Sequence, residues 1–455
     1  MSISRRRFLG AGAAVSAGFL GLRRLLAGES TTADVGYGGL VADPRKTLDL
    51  PRGFSYREFG RVGERMDDGF AVPGAHDGMA AFPGPDGRTI LIRNHELDPG
   101  GWKSGPFGSR NELFRNLDPA LLYDPGDGRT YGPGGTTTAV YDTRSQSLER
   151  QFLSLAGTIR NCAGGPTPWN SWVSCEETIA PAGKGLQKEH GYCFEVPATA
   201  DPGLALPVPL KAMGRFYHEA VAVDPASGVV YETEDKGDGL FYRFLPLTPG
   251  KLALGGKLQA LKVRDKAGMS TANHGKGSRI EPGTSFEVDW IDLDNVESPK
   301  DDLRQRGAAL GAATFSRGEG MWFGRGAVYF ACTSGGRNRK GQIWRYHPSP
   351  DEGTPEERRK PGRLELFIEP NDPTLLENAD NMTVTPWGDL LVCENGKAPN
   401  QVVGVTPEGK LYTLARNTLN SSEFAGVTVS PDGSTVFVNI QKPGVTIAIT
   451  GPWRK

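Results

Sequence analysis

Acidic residues and one cysteine recur at corresponding places in short apolar segments of this 455-residue chain. Six segments begin with polar residues, namely His76, Asn161-Cys162, His218-Glu219, Glu319, Asp380 and Glu423. The segments that follow them end in Glu96, Glu176-Glu177, Glu234-Asp235, Glu394 and Asn439. Carboxylates that crowd around one point repel one another unless cations lie between them. Oxygen-rich sites favour hard ions such as Ca²⁺, and a thiolate beside carboxylates suits a transition metal such as iron.

Each pair of segments is typical of a β-hairpin, because a Gly- or Pro-containing turn separates two short apolar strands. Hairpins repeated in this way predict an all-β fold, a β-propeller with six blades and inserted loops; five or seven blades are the alternatives. The uneven spacing places insertions at 97–134, 246–315 and 348–363, and a strand at 54–59 is expected to complete the last blade. The innermost strands of a propeller converge on one axis, so the polar residues are expected to meet there.

The composition excludes several classes of protein. Gly 62 and Pro 34 supply more turn residues than a helical bundle tolerates. The net charge of -1 argues against nucleic acid as the main partner, because phosphate backbones select basic surfaces. The sequence has no Gly-x-Ser-x-Gly elbow, Walker loop or Cys-x-x-Cys pair, which disfavours serine nucleophiles and nucleotide-driven motors.

The N-terminus resembles a twin-arginine (Tat) export signal. Ser4-Arg5-Arg6-Arg7-Phe8-Leu9 precedes a small-residue apolar run from Gly10 to Leu22, which Arg23-Arg24 ends. We therefore predict a signal peptide over 1–33, a single propeller domain over 34–455, the Tat machinery as a partner and a periplasmic or secreted location. The alternative is an amphipathic anchor. The apolar run is short for a membrane span, so no stable span is expected after cleavage. Of the five cysteines, at least one stays unpaired outside the cytoplasm.

A series of motifs in a fixed order resembles the PhoX-type alkaline phosphatases over roughly residues 50 to 445. The motifs are Arg65-Met66-Asp67-Asp68-Gly69, Asn94-His95-Glu96, Asn161-Cys162-Ala163-Gly164-Gly165, Cys175-Glu176-Glu177, Tyr217-His218-Glu219-Ala220, Tyr231-Glu232-Thr233-Glu234-Asp235, Arg317-Gly318-Glu319-Gly320 and Asp380-Asn381-Met382. The resemblance implies a propeller phosphatase that holds Fe³⁺ and Ca²⁺ at its axis. Its expected substrates are small phosphate monoesters, which it would hydrolyse outside the cytoplasm.

The resemblance also implies roles for individual residues. Cys162, Glu219 and Glu319 would bind iron, and Glu177, Glu234, Asp235, Asp380 and Glu394 would bind calcium. Arg317 would hold the phosphoryl group, since its planar fork suits bidentate contact. Scattered histidines are more often structural residues, but His76, His95 and His218 stand at predicted axis ends, so we expect them to support these ligands or contact the substrate. No residue is assigned to an organic cofactor. The alternatives are a buried apolar role for Cys162 and ordinary ion pairs or turn caps for the charged residues.

Other functions remain open on the sequence alone. A calcium-dependent propeller lactonase or a phytase would use calcium without a thiolate at the axis. A phosphodiesterase could use the same metal cluster. A non-catalytic binding propeller would need none of these side chains for chemistry.

Overall fold

The computed structural model describes residues 35–127, 131–274 and 279–454. The predicted export signal over 1–33 lies outside the described residues. Strands dominate the described chain, and they are accompanied by one α-helix, α1 (Leu303–Ala309), and seven 3₁₀ turns. The 3₁₀ turns are Pro85–Gly87, Trp102–Ser104, Phe114–Asn116, Pro119–Leu121, Lys211–Met213, Leu252–Leu254 and Pro355–Arg359.

The strands are short and follow one another through tight turns. In chain order they are β1 (Leu40–Val41), β2 (Leu48–Pro51), β3 (Ser55–Phe59), β4 (His76–Pro83), β5 (Thr89–His95), β6 (Gly134–Asp142), β7 (Ser147–Thr158), β8 (Asn161–Pro166), β9 (Ser171–Glu176), β10 (Cys193–Pro197), β11 (His218–Val223), β12 (Val230–Glu234), β13 (Phe241–Pro246), β14 (Gly256–Val263), β15 (Ser285–Asp292), β16 (Gly318–Gly324), β17 (Ala327–Cys332), β18 (Gln342–His347), β19 (Arg363–Ile368), β20 (Ala379–Val384), β21 (Leu390–Glu394), β22 (Gln401–Val405), β23 (Leu411–Asn417), β24 (Phe424–Val429), β25 (Thr435–Ile440) and β26 (Val445–Thr450).

The strands form antiparallel sheets arranged like the blades of a propeller, which confirms the predicted all-β class. The sheet orders are β4-β5-β6-β7, β10-β9-β8, β11-β12-β13-β14-β15-β19-β18-β17-β16, β1-β2-β23-β22-β21-β20 and β24-β25-β26-β3. Strands β4, β8, β11, β16, β20 and β24 lie innermost. Each of them packs against the next, and β24 returns to β4, so the described inner strands form a closed ring.

The ring closes through pairing of distant parts of the chain. Strand β3 pairs with β26 in register from Phe59↔Thr446 to Ser55↔Thr450, as expected for the strand at 54–59. The predicted insertion at 246–315 contains more regular structure than a loop. Its strands β14 and β15 continue the sheet of β11–β13 and join it to β19.

Apolar side chains fill the space between neighbouring sheets. Strands β25 and β26 are rich in Val, Ile and Thr, the β-branched residues that favour strands, and they are almost wholly buried. Large aromatic residues such as Trp172, Trp344 and Tyr231 are fully buried between sheets. Burial of an aliphatic or phenyl side chain contributes about 1.5–3 kcal/mol, so these layers hold the inner strands in place. Among the described residues, no helix is long and apolar enough to cross a membrane.

The inner strands share one irregularity. The ladder between each inner strand and its second strand shifts register, which marks a β-bulge near the axis. The last regular pairs before the shift are His76↔His95, Asn161↔Glu176, His218↔Glu234, Gly318↔Cys332, Ala379↔Glu394 and Ala425↔Asn439. Because a bulge re-aims the side chains beside it, it determines which residues face the axis.

Candidate metal centre

Five of the six bulges place an acidic or thiol side chain, of a type that can bind a metal ion, at the axis. The residue directly after each last regular pair is Asp77, Cys162, Glu219, Glu319, Asp380 or, at the sixth bulge, Gly426. Gly426 has a φ of +60°, and an added Cβ would lie 2.4 Å from the carbonyl oxygen of Asp77, so the sixth position has no room for a side chain. The other five side chains all line one cavity.

A second set of polar side chains follows the second strands. Glu96, Glu177, Asp235 and Asn395 come directly after the strand residues that pair at the bulges, and all four line the same cavity. Its remaining lining residues are Arg160, Arg317, Glu423, Ala425 and Gln441. The cavity has a volume of about 140 Å³. A water molecule occupies about 30 Å³ of liquid, so the space accommodates several ions or a phosphoryl group with water.

The potential ligand atoms fall into three overlapping groups, in each of which all atoms lie within 4.8 Å of one another. The groups are Asp77–Glu96–Cys162, Cys162–Glu177–Glu219 and Glu219–Glu319–Asp380. Cys162 Sγ lies 3.4 Å from Glu219 Oε1. Because Cys162 and Glu219 each belong to two groups, the arrangement suits adjacent ions that share ligands.

Acidic side chains outnumber basic ones in the cavity lining, which favours the binding of cations. Eight carboxyl groups and one thiol line it, against two guanidinium groups. Burial, reinforced by the neighbouring acid Asp380, raises the pKa of Glu219 well above its ordinary value, and Glu219 Oε2 has no hydrogen-bond partner. Burial also raises the pKa of Glu177 to about 8, although Arg160 opposes this shift. Divalent or trivalent ions would let these groups ionise, so the residues present fit a metal cluster.

The two arginines occupy equivalent positions, each directly before an inner strand. Arg160 and Arg317 each precede a bulge ligand by two residues, and both adopt the left-handed conformation, with φ of 47° and 57°. Arg317 donates from Nε and Nη2 to the two oxygens of Asp235 at 2.7 Å each, and its Nη2 lies 2.8 Å from Glu319 Oε1. The hydrogen bonds to Asp235 raise the pKa of Arg317 further, so it stays charged.

Arg160 contacts a different pair of acids, Glu96 and Glu177. Its Nη2 lies 2.6 Å from Glu96 Oε1 and also contacts the Glu177 carboxylate, while Nε donates to the Glu177 carbonyl oxygen at 3.0 Å. The side chains of Arg160 and Arg317 are 31% and 41% exposed, so both remain partly open to solvent.

The structure brings together seven of the residues singled out in the sequence: Cys162, Glu177, Glu219, Asp235, Arg317, Glu319 and Asp380. Glu234 and Glu394 do not line the cavity, because they are the strand residues that pair at the bulges and face away from it. Glu234 accepts hydrogen bonds from the Tyr242 hydroxyl at 2.7 Å and the Leu240 amide at 3.2 Å. Glu394 accepts from the amides of Glu377 and Gln401.

The three histidines also lie outside the cavity lining. His76 Nε2 contacts the carbonyl oxygen of Pro73 at 2.9 Å, and burial lowers the pKa of His76 well below its ordinary value. His95 contacts the Gly74 carbonyl oxygen and the Thr137 hydroxyl, both at 2.9 Å. His218 belongs to a separate buried cluster with Cys193 and Glu232.

Four charged cavity residues were assigned no role from the sequence: Asp77, Glu96, Arg160 and Glu423. Positional equivalence could have found the first three. Asp77 follows the first residue of β4 just as Glu219 follows the first residue of β11. Arg160 precedes Cys162 by the same two residues that separate Arg317 from Glu319. Glu96 follows β5 as Glu177 follows β9.

Comparison with known proteins identifies the family. The family model "Alkaline phosphatase PhoX" matches residues 35–104 and 128–444 of this chain. The chain belongs to the PhoX family of alkaline phosphatases. A solved structure of Pseudomonas fluorescens PhoX in complex with vanadate, described as a transition state analogue, matches with a TM-score of 0.64 and 18% identity. The match covers 89% of this chain and 96% of the Pseudomonas fluorescens protein, so the PhoX fold is shared over nearly the whole length.

Other solved structures resemble the PhoX-family chain only distantly. A gluconolactonase from Xanthomonas campestris has a TM-score of 0.40 and 11% identity, with 91% of this chain and 98% of that one covered. The periplasmic gluconolactonase of Pseudomonas aeruginosa has a TM-score of 0.38 and 13% identity, with 81% and 78% covered. A search of curated protein sequences finds no match. Membership of the PhoX family makes the protein a phosphatase, as predicted.

Proposed function

We propose that the acidic cavity hydrolyses phosphate monoesters with Fe³⁺ and Ca²⁺ ions bound to its carboxylates and to Cys162. One observation carries the proposal: a phosphatase-family chain places three ligand groups around one cavity, and these groups share Cys162 and Glu219. A non-catalytic propeller would gain nothing from concentrating eight buried or half-buried carboxyl groups there.

The ligands divide by chemistry. Cys162, Glu219 and Glu319 are the proposed iron ligands, since the only thiol of the cavity lies among them. Glu177, Asp235 and Asp380 are the proposed calcium ligands, because Ca²⁺ prefers oxygen. Asp77 and Glu96, whose ligand atoms lie close to Cys162, add further oxygens to this set.

Bound ions would supply positive charge for the non-bridging phosphoryl oxygens and Lewis acidity toward the attacking water. Arg317 and Arg160 would hold the remaining phosphoryl oxygens through the parts of their guanidinium groups that acids do not occupy. Asp235 fixes the plane of Arg317 through two hydrogen bonds, so the donor atoms need no reorganisation when substrate enters. Positioning and charge stabilisation of this kind dominate phosphoryl transfer.

The proposal includes the organisation of the chain. We take the six inner strands as the first strands of six blades, in one domain over 34–455. The segment 1–33 would direct export through the Tat machinery, and the enzyme would act in the periplasm or as a secreted protein on small phosphate esters.

Hydrolysis of p-nitrophenyl phosphate by the purified full chain, together with elemental analysis, tests the proposal. We expect bound iron and calcium and measurable hydrolysis, both sharply reduced in Glu219→Gln and unchanged in Glu356→Gln, which alters an exposed glutamate of a surface 3₁₀ turn. A protein supplied with both ions that holds no iron and hydrolyses nothing would contradict it.

A second substrate and a second variant distinguish the alternative activities. Faster hydrolysis of bis(p-nitrophenyl) phosphate than of the monoester would indicate a phosphodiesterase. A lactonase would keep its activity on lactones in Cys162→Ser, whereas the proposed phosphatase loses activity in that variant.

A further inference from the structure

A second cluster of metal-ligating side chains lies outside the phosphatase cavity. Cys193 Sγ lies 3.4 Å from His218 Nδ1, and His218 Nδ1 lies 3.2 Å from Glu232 Oε2. Ligand atoms of these three residues all lie within 4.8 Å of one another. Cys175 Sγ adds a second sulfur 3.6 Å from Cys193 Sγ. None of the four side chains lines the phosphatase cavity.

His218 directs one of its two ring nitrogens, Nδ1, at this cluster. His218 Nε2 lies 3.1 Å from the carbonyl oxygen of Gly214, which can only accept, so Nε2 carries the proton. Nδ1 therefore faces Cys193 Sγ and Glu232 Oε2, and it can bind a cation there through its lone pair. Metal-binding histidines are usually oriented in this way, by a hydrogen bond from the other ring nitrogen to a backbone carbonyl. Phe216, stacked on the ring at 3.6 Å between centroids, fixes its plane.

The buried carboxylate of Glu232 lacks the hydrogen-bond partners that a buried acid normally has. Glu232 is fully buried, and neither of its oxygens has a well-formed hydrogen bond. A histidine lone pair facing a carboxylate oxygen at 3.2 Å is repulsive unless a proton or a cation lies between them. The arrangement of Glu232 and His218 is therefore an observation, independent of the cysteines, that points to a proton or a cation between them.

The separations match those around a tetrahedral ion. Zn²⁺ binds thiolate sulfur at about 2.3 Å and nitrogen or oxygen at about 2.0–2.2 Å, which places neighbouring ligand atoms about 3.3–3.8 Å apart. Two of the measured separations, 3.4 and 3.6 Å, lie within this range, and the third, 3.2 Å between His218 Nδ1 and Glu232 Oε2, lies just below it. All four side chains are fully buried, as in closed structural zinc sites.

We propose that Cys193, His218 and Glu232 form a structural site for a transition-metal dication of the Zn²⁺ class, beside the second buried sulfur of Cys175. The ion would join two separate sheets of the described chain, because Cys193 belongs to β10 whereas His218 and Glu232 belong to β11 and β12. The thiolate and the carboxylate would balance the charge of the ion. The inference does not rest on the phosphatase activity.

Cobalt substitution tests the site, because thiolate ligands give Co²⁺ a sulfur-to-metal charge-transfer band. The full chain would be produced in cells supplied with Co²⁺ in place of zinc. In Cys162→Ser, which removes the thiol of the phosphatase cavity, we expect the band to persist with about one cobalt ion per chain retained at the second site. Adding Cys193→Ser should abolish the band, whereas adding Cys332→Ser, a buried thiol outside both clusters, should leave it unchanged.

Two further measurements keep the outcome decisive. The variant Glu232→Gln preserves the side-chain volume and should lose cobalt to a chelator faster than the parent protein. This measurement tests the site even if Cys193→Ser does not fold. Absence of the band in folded Cys162→Ser would overturn the proposal. Intact mass and thiol counting that reveal a disulfide between Cys175 and Cys193 would overturn it equally, because the paired sulfurs could not bind the ion as thiolates.

Discussion

Replacing Glu177 by Gln is expected to stabilise the metal-free protein at alkaline pH. Burial raises the pKa of Glu177 from 4.5 to about 8 in the folded state. Between these values the folded chain retains a proton that the unfolded chain releases, so the free energy of unfolding falls as pH rises through this window. Below pH 4.5 the contribution of Glu177 is fully present, and above pH 8 it is fully lost. Gln stays neutral throughout and can still accept from Arg160.

The size of the effect follows from the pKa shift. One pKa unit corresponds to about 1.4 kcal/mol, so a rise from 4.5 to about 8 is worth on the order of 5 kcal/mol. Because neighbouring acids titrate together with Glu177, we expect about 3 kcal/mol to be measured. Bound cations reverse the direction of this pH dependence. They hold the Glu177 carboxylate ionised and bind more tightly as pH rises, so the free energy of unfolding then increases with pH.

Urea unfolding at about pH 5 and about pH 9 measures this difference in chelator-treated protein. The unfolding free energy of the parent should fall between the two values by about 3 kcal/mol more than that of Glu177→Gln. The exposed control Glu356→Gln should follow the parent. Equal pH dependence in parent and Glu177→Gln would refute the reasoning, and so would an equal fall in metal-loaded and metal-free parent.

Three other changes probe the cavity. In the same urea titration, Gly426→Ala should lower the free energy of unfolding by about 2–4 kcal/mol, because the added Cβ would collide with the Asp77 carbonyl oxygen. The control Gly433→Ala has a similar φ of +70° but its nearest contact lies at 3.9 Å, so it should lower the free energy of unfolding by only about 1 kcal/mol. Asp77→Asn should reduce bound metal and p-nitrophenyl phosphate hydrolysis without destabilising the metal-free chain; unchanged metal content would exclude Asp77 as a ligand. Arg317→Lys should lower kcat/KM on the order of 10- to 100-fold, since Lys cannot form the paired hydrogen bonds, and an unchanged value would remove Arg317 from substrate binding.

The sequence predicted which strands carry the chemistry, but it placed several side chains one residue away from the axis. His76, the first polar residue of its segment, was expected at the axis, whereas the bulge turns Asp77 into the cavity. The same shift separates Glu234, which faces Tyr242, from Asp235, which binds Arg317. A bulge is a local change of pairing that hydrophobic periodicity does not reveal.

The fold was predictable where turn residues and alternation agree. The hairpins around Asp380 and Glu423 and the closing strand at 54–59 were all expected and are present. The segment 246–315 was expected to be an inserted loop, yet β14 and β15 extend a sheet there. Their pairing depends on β19, more than 70 residues beyond β15, and no local pattern specifies such a distant partner.

Anomalous diffraction at the iron edge, from crystals of the full chain purified from its own host, would locate iron without reference to activity. If the bulge residues assemble one metal centre, the anomalous map will show iron within bonding distance of both Cys162 Sγ and the Glu219 carboxylate. A map with no iron in this cavity, from protein that still hydrolyses phosphate monoesters, would contradict the proposed centre.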